Sequence, residues 1–410
     1  MDLETDSVRP SARSSRRQLI KALGLAGLSL LAPRVTVNAA HAISAPAAGK
    51  EGRFIFVFLR GGLDALHAIA PVSDPELAAL RPNIANTLLA EGIALPGTGL
   101  SAHPSCGALA ELFATKELLF CLTAGTTDTS RSHFQAQDLF EIGSGAIRGQ
   151  SGFMARLAIA VGVDHPESGA ISFTREIPLA FQGGDIPPEV APLSGSGLRL
   201  PEGRVLDAIR TAHAGLKTGE AITQAIATQG EIEAAADMEG AARGAGSANG
   251  FPGIAGHLGA ILKANRHLAL SFIDLGGFDT HAAQERILAL ALKNVCDGLR
   301  ALKESLGDDE WARTRVAVMS EFGRTARENG TLGTDHGHGG LFLLAGGAIS
   351  GGRMVGIFSG LSASALREGR ELPAASDWRA LLSATIRDTF GVSESSLDRV
   401  FPGRPQRLIG

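Results

Sequence analysis

Six consecutive apolar residues, Phe54-Ile55-Phe56-Val57-Phe58-Leu59, constrain the fold of this chain more than any other segment. The run has strand length, is rich in aromatic and β-branched side chains, and lacks the alternation of a half-exposed strand. It reads as a strand buried on both faces, which only a sheet covered by helices on both sides can hide. Similar runs occur at Leu118–Leu122, Leu268–Ile273, Val316–Met319 and Leu341–Leu344. Helical patterns lie between them, over residues 104–116, 133–142, 204–232, 253–265, 281–306 and 376–389. The alternation predicts an α/β fold, a three-layer sandwich with a mainly parallel central sheet. Residues 239–252 read as a flexible connector, and residues 43–410 as one domain.

The first 42 residues carry a different signal. Ser15-Arg16-Arg17-Gln18-Leu19-Ile20-Lys21 has the form of a twin-arginine motif. An apolar run of about 11 residues follows, too short to span a bilayer, and Ala40-His41-Ala42 forms a small-x-small cleavage signal. Residues 1–42 are therefore expected to be a signal peptide recognised by the twin-arginine translocation machinery. The mature chain is expected in the periplasm or outside the cell. No later segment has the roughly 18 uninterrupted apolar residues of a spanning helix, so no stable membrane anchor is expected.

Downstream of residue 42 the chain holds 32 basic and 39 acidic residues. An acidic surface without basic clusters excludes nucleic acid as an expected partner. Cys106, Cys121 and Cys296 match no zinc spacing; one disulfide is open to them, and buried free thiols are the expectation.

The unusual polar residues follow the predicted strands, where open α/β sheets gather ligands. The first strand leads into Arg60-Gly61-Gly62-Leu63-Asp64, and Ile273-Asp274 leads into Gly276-Gly277-Phe278-Asp279-Thr280-His281. Met319 is followed by Ser320-Glu321-Phe322-Gly323-Arg324-Thr325, then by Gly333-Thr334-Asp335-His336-Gly337-His338. One such cluster is usually a loop with a hydrogen-bonded histidine. Three, each behind a strand and flanked by glycine, predict a shared polar site that binds one or two divalent ions. Asp279, His281, Asp335 and His336 supply carboxylates and imidazoles suited to zinc or manganese rather than calcium. Asp64 would complete or bridge the site, and His133, Glu321 and His338 are further candidate ligands. The hydroxyl-rich loop at 126–132 places Thr129 and Ser132 near a helix N-terminus, as nucleophiles or as plain caps. Arg131 or Arg324 could hold an anionic substrate, and Arg131 could equally make a surface salt bridge. His103 opens a helix and reads as structural.

Taken together, these motifs resemble the bacterial family known as domain of unknown function 1501. The resemblance rests on residues 59–64, 132–138, 276–281, 320–325 and 333–339, with Ser-Asp-Trp-Arg at 376–379 and Phe-Pro-Gly at 401–403. That family is typically exported by a twin-arginine signal. One step further out the chain is similar to the alkaline phosphatase and sulfatase superfamily. That similarity implies an alkaline-phosphatase-like fold, an Asp after the first strand, a hydroxyl nucleophile at a helix start, and later Asp/His pairs on metal. The late histidine of that superfamily has no counterpart after His338, and its sulfatase cysteine pattern is absent. The implied function is an exported metal-dependent hydrolase of phosphate or sulfate esters, with a small anionic ester as substrate. The alternative is a non-catalytic exported binding or assembly protein that keeps the hydrolase fold. A metal-independent Ser/His hydrolase is disfavoured because no Gly-x-Ser-x-Gly follows a strand.

Overall fold

A computed structural model describes residues 52–145, 151–163, 169–174, 176–184, 189–191, 211 and 250–405. The expected signal peptide, nearly all of the 204–232 helical pattern and most of the 239–252 connector lie outside the described residues.

Among the described residues nine strands form the main sheet: β1 (Arg53–Leu59), β2 (Leu118–Gly125), β3 (Ala170–Phe173), β4 (Glu189–Ala191), β5 (Leu270–Leu275), β6 (Thr314–Met319), β7 (Gly340–Ala345), β8 (Arg353–Met354) and β9 (Ser376–Asp377). Their order is β8-β2-β7-β6-β1-β5-β3-β4, with β9 also on β2. β1 is central and pairs in parallel with both β5 and β6. Every other pairing is parallel as well, except that β7 runs antiparallel to both of its neighbours. The sheet is therefore mixed and largely parallel.

β1 shows why the apolar run had to be continuous. Side chains alternate across a strand, so Ile55, Val57 and Leu59 enter one core while Phe54, Phe56 and Phe58 enter the other. The first core is shared with α1 (Gly107–Ala114), α4 (Phe251–Ala264) and α5 (Gln284–Ala312). The second is shared with α2 (His133–Ile142), α3 (Phe153–Val161), α6 (Trp378–Phe390) and α7 (Glu394–Val400). Aromatic stacking fastens α2 to the sheet: Phe58 to Phe140 at 4.8 Å between ring centroids, and Phe140 to Trp378 at 4.1 Å. A fully buried Phe contributes about 1.5–3 kcal/mol, so this face anchors the helix that carries His133.

The 133–142 helix has the expected bounds, ending at Gly143 in the left-handed conformation that glycine adopts freely. The expected 281–306 helix begins at Gln284 and breaks at Gly307, with φ 69 and ψ 172, before continuing to Ala312. The three cysteines are free and buried. No helix among the described residues is long and apolar enough to cross a membrane.

The antiparallel β7 matters most for the site. Parallel strands β1, β2, β5 and β6 end at one rim, and β7, running the other way, begins there. Residues 335–339 precede a strand rather than follow one, yet reach the same rim as the loops after β1, β2, β5 and β6.

Candidate metal centre at the strand rim

Backbone contacts set the loops before any side chain enters. Residues 323–325 pair with 335–338 through Gly323 N to His338 O at 3.0 Å, Gly337 N to Gly323 O at 2.8 Å, and Thr325 N to Asp335 O at 2.9 Å. A Cβ on Gly323 would fall 1.9 Å from Gly339 O, so only glycine permits this approach. Gly61, at φ 122, lies so close to the next loop that a Cβ there would meet Asp279 N at 2.4 Å.

Arg324 locks the assembly from below. It is 2% exposed and donates to Gly62 O at 2.7 Å, Thr334 O at 2.9 Å and Phe278 O at 3.2 Å, and also to Gly61 O and Asp279 Oδ1. Its guanidinium is bonded to three loops and one carboxylate. The expectation that Arg324 meets a substrate anion gives way to a positioning role, because the side chain is closed to solvent.

Above Arg324 three imidazoles converge. His336 Nε2 lies 3.0 Å from His133 Nε2 and 2.9 Å from His281 Nε2. Asp279 Oδ1 is 3.3 Å from His336 Nε2 and 3.0 Å from His281 Nε2, and Oδ2 is 3.5 Å from His133 Nε2. His133, Asp279 and His336 offer ligand atoms that all lie within 4.8 Å of one another.

The far nitrogen of each ring explains what the near one does. His133 Nδ1 is 2.7 Å from Glu321 Oε1, His281 Nδ1 is 3.2 Å from Asp335 Oδ1, and His336 Nδ1 is 2.8 Å from Arg131 O. Two carboxylates and a carbonyl accept only, so each Nδ1 carries the proton and, in the neutral ring, each Nε2 presents a lone pair. Lone pairs facing one another across His336 at 2.9–3.0 Å, beside the Asp279 carboxylate, repel one another unless a cation or proton lies between them. This is the arrangement by which proteins orient metal-binding histidines.

Charge follows the same geometry. The Glu321 carboxylate holds His133 above the ordinary imidazole pKa, opposing the effect of burial. Burial pushes His336 down, against its bond to the Arg131 carbonyl. Burial would raise Asp279 and Glu321, but Arg324 outweighs it at Asp279, and donors led by His133 and Gln137 outweigh it at Glu321. The centre is reachable from one side: the Asp279 and His281 side chains are 47% and 45% exposed, against 22% and 24% for His133 and His336.

Other expected residues take different places. Glu321 has Gly61 N at 2.9 Å, Gln137 Nε2 at 2.8 Å and Ser320 Oγ at 2.7 Å besides His133, so it stands behind His133 and outside the converged set. Asp335 stands behind His281 and is held below the usual carboxylate range chiefly by Asn329. His338 has both nitrogens engaged, Nε2 by Thr126 O at 2.8 Å and Nδ1 by Arg367 at 2.9 Å. It lines a cleft with Thr126, Asp128, Arg131 and Phe322. Asp64 does not join the converged set. It is 1% exposed and bound bidentately by Arg81 at 2.8 and 3.0 Å, with Gln284 Nε2 at 2.6 Å and Leu66 N at 3.1 Å. Its carboxylate is sealed beneath the rim, neither completing nor bridging the centre.

Arg131 sits at φ 53, a strained conformation for a side-chain-bearing residue, and this lets its carbonyl reach His336. Its guanidinium pairs with Glu371 at 2.6 Å and Glu368 at 3.4 Å. Ser132 occupies the N-cap position of α2 without making a cap hydrogen bond, and Thr129 is exposed. Arg81, Gln284 and Asn329 escaped sequence reasoning; nothing in their local pattern distinguishes them from surface polar residues.

Residues 150–410 match the family described as Protein of unknown function (DUF1501). The chain belongs to this family. The DUF1501 match takes in Asp279, His281, Glu321, Arg324, Asp335 and His336, whereas His133 precedes it. No curated protein matches the chain.

Proposed function

We propose that this DUF1501 protein is an exported metal-dependent hydrolase of phosphate or sulfate esters. One observation carries the metal: three Nε2 atoms and the Asp279 carboxylate converge while every Nδ1 is anchored by an acceptor. His133, His281, His336 and Asp279 would hold a single zinc or manganese ion. A bound ion would polarise an ester oxygen and lower the pKa of a water molecule. The chain's own residues keep the rings turned inward, fix Asp279 through Arg324, and leave the exposed side open to a small anionic ester. Ser132, with its hydroxyl free beside His133, is the candidate for a covalent nucleophile. The alkaline-phosphatase-like relationship, the twin-arginine signal over residues 1–42 and the periplasmic or extracellular location belong to the same proposal.

A second reading has its own support. Both arginines expected to bind an anion are engaged, Arg324 by loop carbonyls and Arg131 by Glu368 and Glu371. That favours a metal-holding binding or assembly protein without turnover. Purified protein should be assayed for metal content and for hydrolysis of aryl phosphate and aryl sulfate esters, before and after chelation. Metal-restored turnover supports the hydrolase. Stoichiometric metal without turnover on either ester class supports the binding protein, and metal-free folded protein contradicts both.

A further inference from the structure

On the α5 side of the sheet, two histidines and a glutamate are packed together with one polar atom of each left without a hydrogen-bond partner. His67 lies in the turn Ala65–Ala68 just after β1, His103 caps the turn Pro104–Cys106, and Glu285 is in the first turn of α5. The two rings stack at 4.9 Å between centroids, and each residue is 2% exposed. His67 Nε2 is 3.8 Å from Glu285 Oε2, and His103 Nε2 is 3.9 Å from Oε1, both too long for hydrogen bonds. His67 Nε2, His103 Nε2 and Glu285 Oε2 are buried with no hydrogen-bond partner. Orphaned buried polar atoms are rare, and three facing one another form a place that a shared occupant would satisfy. The three ligand atoms lie within 4.8 Å of one another, which suits donors around one ion at about 2.1 Å.

We propose that His67, His103 and Glu285 form a second divalent-metal site, structural in role, that takes a zinc-class ion through two ring nitrogens and one carboxylate. Burial outweighs the attraction of nearby Asp64 and lowers His67 to about 4, so its ring is neutral near pH 7. His103 differs, because its Nδ1 accepts the Ser105 N–H at 3.1 Å and its proton therefore sits on Nε2. Binding moves that proton to Nδ1 and releases the Ser105 N–H from the ring; the imidazole remains neutral with one proton.

The site's position gives it a purpose. Glu285 follows Gln284, whose Oε1 accepts from Thr280 Oγ1 at 3.0 Å and Thr334 Oγ1 at 2.6 Å, and whose Nε2 donates to Asp64. Thr280 lies between Asp279 and His281, and Thr334 precedes Asp335. An ion on Glu285 would thus fix the start of α5 beneath the loops of the rim centre. This inference stands on different residues from the hydrolase proposal and does not depend on it.

The test is metal content per chain for the full-length protein purified without chelators, with thermal unfolding alongside. Two ions are expected in wild type, one in Glu285→Gln or His67→Gln, and one in His336→Ala, the ion lost differing between the two sets. Glu285→Gln should weaken the inner ion more than tenfold and lower the melting temperature. A Glu285→Gln or His67→Gln protein that retains the wild-type ion count overturns the inner site and leaves the rim proposal standing. One ion in wild type that survives His336→Ala but not Glu285→Gln supports the inner site and removes the rim. Where the inner-site variants fail to fold, cobalt titration of His336→Ala decides: one equivalent bound supports the inner site, none overturns it.

Discussion

The two histidine clusters differ in what holds the far side of each ring. At the rim every Nδ1 faces an acceptor, so each neutral ring already offers a lone pair to the centre. In the inner cluster His103 Nδ1 takes a backbone N–H instead, and its Nε2 must give up a proton first. The rim is preorganised for an ion; the inner site has to rearrange to take one. What the outer partners accept or donate thus decides a site as much as its ligands do.

The largest expected effect is at the ring shared by every rim contact. His336→Ala should abolish stoichiometric rim metal and any metal-dependent hydrolysis, measured by elemental analysis and ester turnover. Next is the ion pair beneath both clusters. Arg81→Ala leaves the buried Asp64 carboxylate unpaired and should destabilise the fold by about 3–5 kcal/mol in denaturant titration. Asp64 is held below the usual carboxylate range because Arg81 outweighs its burial, so the pair's stabilisation persists above that range and fades as acid protonates Asp64.

A middle-sized effect tests the outer partners directly. Glu321→Gln keeps the shape but loses the charge behind His133, and should weaken rim metal about 10–100-fold, read by chelator competition. Acid should separate the clusters. His133 has a raised pKa, so in the metal-free centre protons enter its ring above the ordinary imidazole range as pH falls. His67 stays neutral down to about 4. Rim metal is therefore expected to leave at a higher pH than inner metal during a stepwise acid titration. The smallest effect is Ser132→Ala. With no cap bond to lose, stability should change by less than about 0.5 kcal/mol, so a collapse in kcat without one in stability would make Ser132 the nucleophile.

The parts of the fold that sequence reveals are those with a period or an unbroken apolar run. β1 announces itself because both of its faces are buried, and α2 because His133–Ile142 has helical spacing and a glycine stop. The direction of β7 is not legible, since an apolar run has no polarity. For that reason Asp335 and His336 seem to lie a loop beyond their strand when they in fact lead into one. Motif reading set Asp335 with Asp279, His281 and His336 and kept His133 as a further candidate beside Glu321 and His338, whereas His133 joins the converged set and Asp335 stands behind His281. Ligand and support are chemically the same residue types and differ only in which atom faces inward. Arg81, distant in sequence and without a motif, is what removes Asp64 from the centre.

The most direct measurement is anomalous diffraction from crystals of the metal-replete protein, recorded on both sides of the zinc absorption edge. A strong peak is expected, enclosed by His133 Nε2, His281 Nε2, His336 Nε2 and the Asp279 carboxylate, at about 2.0–2.2 Å from each bound atom. Stoichiometric metal located instead on Glu321, Asp335 or Asp64, or ordered crystals with no peak at the rim, would contradict it.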